Sequence, residues 1–148
     1  MFKVKKNLKF TDLKLLHTIE ELYSNAYLSQ KGKQNTTDQN IGKFQYVEID
    51  CKEIAKKLHT DADIVFERLN FHLNEKYQYK QNDDSCVPLF YFGAKNICNG
   101  KHCIRFPYLC AILAHLEEEQ RTQNLTLCIS IISIIISILT AIVHCFET

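Results

Sequence analysis

From Leu125 to Phe146 the chain reads LTLCISIISIIISILTAIVHCF, without a single Asp, Glu, Lys or Arg. At 1.5 Å per residue, about 22 helical residues rise roughly 33 Å, enough to cross a hydrocarbon core with slight tilt. Ile and Val form helices poorly in water. Lipid reverses that preference, because backbone groups must pair within the segment. Ser130, Ser133, Ser137 and Thr140 can bond back to carbonyls of the preceding turn. The competing reading is a core helix of a soluble protein. The roughly 120 residues that remain make one modest core, too small to enclose such a helix on every side. The expectation is therefore a single C-terminal transmembrane helix, 125–146.

Orientation follows from the flanks. Arg105 and Arg121 precede the run, and its C-terminal end carries nothing basic except His144, inside it. The positive-inside rule then places the larger part in the cytoplasm, at the inner (cytoplasmic) membrane. The basic start MFKVKKNLKF lacks an apolar core long enough for a secretory signal, so the layout resembles tail-anchored, single-pass proteins. Lys3, Lys5, Lys6 and Lys9 suit either a solvated tail or contact with anionic headgroups. Asn35-Thr36-Thr37 and Asn124-Leu125-Thr126 fit the glycosylation tripeptide, a pattern that a cytosolic domain would not use. Ser133, Ser137 and Ala141 recur every four residues. That stripe of small side chains would let two spans approach closely and make a homodimer through the helix.

The formal charge of +1 gives no global attraction to nucleic acid or anionic lipid. The seven cysteines, Cys51, Cys86, Cys98, Cys103, Cys110, Cys128 and Cys145, are odd in number and irregularly spaced. Reduced thiols are expected rather than a disulfide framework. Cys98, His102, Cys103, Cys86 and Cys110 raise the question of zinc. However, Cys98-x4-Cys103 is wider than a knuckle and no second close pair completes a tetrahedron, so no metal or other cofactor is expected. No nucleophile elbow, phosphate loop or HExxH is present, and an enzyme is not expected.

Along the rest of the chain, Thr11 or Asp12 caps a helix carrying Leu15, Leu16, Ile19, Leu22, Tyr23 and Ala26. The stretch 30–43 is polar and reads as a loop. FQYVEI, 44–49, alternates as a strand. Asp50 caps a short helix, and after His59-Thr60 a third helix is capped by Thr60 or Asp61. Its apolar face is Ala62, Val65, Phe66, Leu69 and Leu73. VPLFYF, 87–92, reads as an edge strand. Asn99-Gly100 marks a hairpin with arms 94–98 and 101–106. Pro107 opens a helix, 107–124, that leads into the span.

Helix, strand, short helix, tight turn, helix, hairpin and closing helix, in that order, resemble a winged helix-turn-helix. VEIDCKEIAKKLHTDADIVFERLNFHL carries the helix pair and NICNGKHCIRF the wing. The expected fold is α+β: a winged-helix-like domain with a basic tail over 1–106, then the connecting helix and the anchor. The resemblance implies a second helix able to enter the major groove. Its exposed residues are Asp61, Asp63, Glu67, Arg68, Asn70, Asn74 and Glu75, a net acidic set. Arg68, Asn70 and Asn74 suit base contacts, but Asp63 and Glu67 would repel phosphates. Lys52, Lys56 and Lys57, with Lys101 and Arg105 on the wing, offset this in part.

The candidate partner or DNA face is thus Asp63, Glu67, Arg68, Asn70, Asn74, Lys101 and Arg105. Three functions follow. The first is a membrane-anchored interaction module recruiting a cytosolic protein. The second is a membrane-tethered DNA-binding transcriptional regulator. The third is a small membrane-active toxin or phage-exclusion protein.

Overall fold

The computed structural model describes residues 9–32, 45–80, 86–93 and 100–146. The chain divides into two compact units, Met1–Leu113 and Ala114–Thr148. The first is mostly helical with a small three-stranded sheet.

Helix α1 (Asp12–Gly32) starts at a Thr11 cap, whose Oγ1 accepts from the Lys14 N–H at 3.2 Å. Of the two expected caps, Thr11 makes the bond. Leu15, Leu16, Ile19 and Tyr23 are buried at helical spacing. Strand β1 (Tyr46–Glu48) precedes α2 (Cys51–Leu58). Asp50 caps α2 as expected, accepting from the Lys52 N–H at 2.8 Å. The Tyr23 hydroxyl fixes that corner: it accepts from the Asp50 N–H at 2.9 Å and donates to Glu53 Oε2 at 2.7 Å.

The turn after α2 is closed by backbone. His59 lies in the left-handed region at φ 55°, and the Thr60 N–H reaches back to the Ala55 carbonyl at 2.9 Å. The cap expected from Thr60 or Asp61 is not made. Thr60 Oγ1 is buried without a partner, and Asp61 holds the cap position of α3 (Ala62–Glu67) without a side-chain capping bond. A π-helical stretch, Arg68–Leu73, continues α3 into α4 (Asn74–Tyr77). Val65, Leu69 and Leu73 are fully buried on the expected face.

The expected strand 87–92 is divided in two. Strand β3 (Cys86–Val87) pairs with β2 (Tyr79–Lys80), and β4 (Phe90–Tyr91) joins a different sheet. Pro88, which has no N–H to give a ladder, stands at the break. Strand β5 (Cys103–Arg105) is central in the order β1-β5-β4, antiparallel to both neighbours. Ile104 is opposite Val47 on one side and Phe90 on the other, and all three are buried, forming one apolar row across the sheet. Fully burying each such side chain contributes about 1.5–3 kcal/mol. The hairpin expected with arms 94–98 and 101–106 is not the one formed: Cys103 and Ile104 pair with Tyr91 and Phe90, and β1 takes the other edge of β5. Residues 94–98 lie outside the described residues, and Gly100 has φ 83°.

The last helix, α5, spans Phe106–Phe146, with Pro107 in its first turn as expected. Phe106, Leu109, Ile112 and Leu113 are buried and belong to the first unit. In the second unit the apolar side chains are exposed: Leu125, Ile129, Ile132, Ile135 and Ile138 among others. The segment Phe106–Ile142 is the one helix among the described residues long and apolar enough to cross a membrane. Its most apolar 18-residue stretch has a mean hydropathy of 2.7 and is wholly unburied. Its hydroxyls are spent on its own backbone, with Ser130 on Thr126 O, Ser133 on Ile129 O and Ser137 on Ser133 O, at 2.8–3.0 Å. The proposed pairing stripe of Ser133, Ser137 and Ala141 is therefore exposed, and its two serines present no unspent donor.

Candidate functional site

The helical run from α3 to α4 brings together most of the residues singled out from the sequence, and it uses several of them internally. Arg68 Nε and Nη2 both donate to Asp12 Oδ1, at 2.9 and 2.7 Å, and the Phe10 ring lies 5.6 Å from the guanidinium carbon. His72 Nε2 and Lys76 Nζ approach the other carboxylate oxygen at 3.3 and 3.5 Å. Burial pushes the Asp12 carboxyl up, but the hydrogen bonds and charges of Arg68 and His72 outweigh it and hold it below the ordinary value of 3.8. Arg68, expected as a group for bases or a partner, is instead the clamp between this helix and the first turn of α1.

Asn74 is also committed. Its Nδ2 donates to the Phe90 carbonyl and its Oδ1 accepts from the Phe90 N–H, both at 2.8 Å. The side-chain amide thus serves β4 as a neighbouring strand would. Beside β5, Lys101 pairs with Glu48 at 2.7 Å and the Arg105 Nε donates to Gln45 Oε1 at 3.0 Å. On α2, Lys57 is paired with Glu21. Lys52 and Lys56 are exposed.

What the run presents outward is acidic and aromatic. Asp63, Glu67 and Glu75 are exposed and Asn70 is half-buried. Phe71, not singled out from the sequence, is 60% exposed. Two residues from both Leu69 and Leu73, it is outward by helical spacing, and an apolar side chain there carries no polar signal of a site. At the other end, Phe66, Phe90 and Phe92 gather around the His102 ring, at centroid distances of 5.0–5.8 Å from it. Phe92 is 63% exposed, and His102 Nδ1 is buried without a partner.

A cleft of about 480 Å³ lies beside Tyr23, Glu48, Asp50, Glu53, Lys101 and His102. Its polar groups already serve one another, through the Tyr23–Glu53 bond, the Asp50 cap and the Glu48–Lys101 pair. Among the described residues no three His, Cys, Asp or Glu side chains converge on one point to hold a metal. Cys103 is buried and disulfide-bonded, so the expectation of reduced thiols fails there. An odd count and irregular spacing argue against a framework, but they leave room for a single cross-link. Cys51, Cys86, Cys110 and Cys128 are free, with burial raising the Cys51 thiol to about 11.

Comparison with protein-family models, with curated proteins and with solved structures finds nothing that matches this chain.

Proposed function

We propose that the chain is a single-pass membrane protein whose unit Met1–Leu113 is a winged-helix-like module that captures a protein partner on the acidic face of α3 and α4. The anchor reading is supported by α5, whose exposed apolar side chains have no cover among the described residues. The winged-helix reading is supported by the order of elements. The strand before the helix pair and the strands after it share one sheet, with β5 in the middle.

The observation that favours a protein over DNA is the commitment of Arg68 to Asp12 and Asn74 to Phe90. The two side chains best suited to base edges are held inside the domain, while Asp63 and Glu67 face outward where phosphates would lie. The test is site-specific photocross-linking from position 71 in native membranes. A discrete protein adduct that disappears in the Asp63→Lys/Glu67→Lys variant is expected. Sequence-selective DNA binding by the detergent-solubilised chain near physiological salt would instead favour a tethered regulator. Growth arrest caused by α5 alone would favour a membrane-active toxin.

In this reading the module faces the cytoplasm, on the strength of Arg105 and Arg121 ahead of the candidate span. One observation favours the opposite face: the Cys103 disulfide, since such bonds persist in oxidising compartments. Protease added to intact spheroplasts separates the two, leaving the module whole if it is cytoplasmic.

A further inference from the structure

The acidic face has a candidate occupant within the chain. Residues 1–8, MFKVKKNL, lie outside the described residues and contain Lys3, Lys5 and Lys6, four apolar side chains (Met1, Phe2, Val4 and Leu8) and no acid. Where they join the domain is fixed. Phe10 lies against the Arg68 guanidinium, and Asp12 is gripped by Arg68, His72 and Lys76. The segment therefore arrives at the flank of the α3–α4 run. Three basic side chains of that run are drawn toward Asp12, leaving Asp63, Glu67, Phe71 and Glu75 exposed. Eight extended residues reach roughly 26 Å, about the 24 Å length of a 16-residue helical run such as 62–77.

We propose that residues 1–8 dock along α3 and α4, setting lysines against Asp63, Glu67 and Glu75 and an apolar side chain over Phe71. The segment is then a built-in competitor that any external partner must displace. Docking itself requires only the acidic face and the entry point, so it stands apart from the existence of such a partner.

The chain contains no Trp, so Phe71→Trp installs a single reporter at an exposed position that tolerates it. In the full chain, solubilised in neutral detergent, its emission should be blue-shifted and weakly quenched by acrylamide at low salt. Deleting residues 2–8, or Lys3→Glu/Lys5→Glu/Lys6→Glu, should shift emission to the red and raise quenching. Each exposed ion pair changes the docked-to-undocked ratio about 1.4- to 5-fold. Combining the reversed segment with Asp63→Lys/Glu67→Lys/Glu75→Lys should restore the blue shift, an outcome that general unfolding cannot mimic. Identical emission and quenching with and without residues 2–8 would overturn the proposal. So would a Phe2→Trp reporter that turns blue only on vesicles containing anionic lipid while the position-71 reporter stays exposed, which would assign the segment to headgroups.

Discussion

Arg68 grips a single oxygen of Asp12: Nε and Nη2 both reach Oδ1, at 2.9 and 2.7 Å, leaving Oδ2 to His72 and Lys76. The two residues are 56 positions apart, so the pair ties the first turn of α1 to the helix that carries the candidate face.

Arg68→Ala should lower the stability of the domain by about 1–2 kcal/mol, a charged hydrogen bond discounted for the partial exposure of the guanidinium. The pH dependence has a defined sign. A carboxyl held below 3.8 when folded adds stability that is fully present above that pH and lost as pH falls through the lower folded value. Arg68→Ala should therefore shrink its deficit as the solution is acidified below about pH 3.8. Urea titrations of both forms at neutral and acid pH provide the check.

Asn74→Ala removes both bonds to the Phe90 backbone and leaves a partly buried N–H and carbonyl unpaired. A loss of about 2–3 kcal/mol is expected. Asn74→Asp keeps the acceptor and loses the donor, so it should fall between the two. Chemical denaturation ranks the three, and an Asn74→Ala chain as stable as the original would contradict the bridging role.

His59 occupies a left-handed conformation that glycine adopts without strain. His59→Gly should raise stability by about 0.5–1 kcal/mol, as relief at the turn exceeds the added unfolded-state entropy. A melting temperature that falls instead would mean that the imidazole makes a compensating contact.

Truncation after Gln123 should convert a protein that stays in the membrane pellet after carbonate extraction into one that is released, because α5 supplies the only candidate span among the described residues. A truncated form still pelleting would require another attachment.

Much of this organisation was legible beforehand, for identifiable reasons. Leu15, Leu16 and Ile19, and Val65, Leu69 and Leu73, announce their helices through spacing, and Asp50 announces α2 through its side-chain chemistry. The candidate span is legible from the absence of charge alone. The fate of the exposed polar residues was not. Arg68 and Asn74 read as free because their partners, Asp12 and the Phe90 backbone, are distant in sequence, and neither pairing leaves a periodic signature. The strand 87–92 was overextended because VPLFYF is uniformly apolar, and only the pairings show that Pro88 parts two sheets. Helical spacing from Leu69 and Leu73 already sets Phe71 outward, but an apolar side chain on a solvent face carries no chemistry that marks it.

That π-helical stretch also sets where the chain can change length. It lies between two fixed points, Arg68 on Asp12 and Asn74 on Phe90, and a π turn stores one residue more than an α turn. Loss of a residue within 69–73 can be absorbed by a return to α pitch with both anchors still in register. The same loss in α2 would rotate Ile54 or Leu58 out of the core. Length variation among any relatives of this helix should therefore collect between its two anchors.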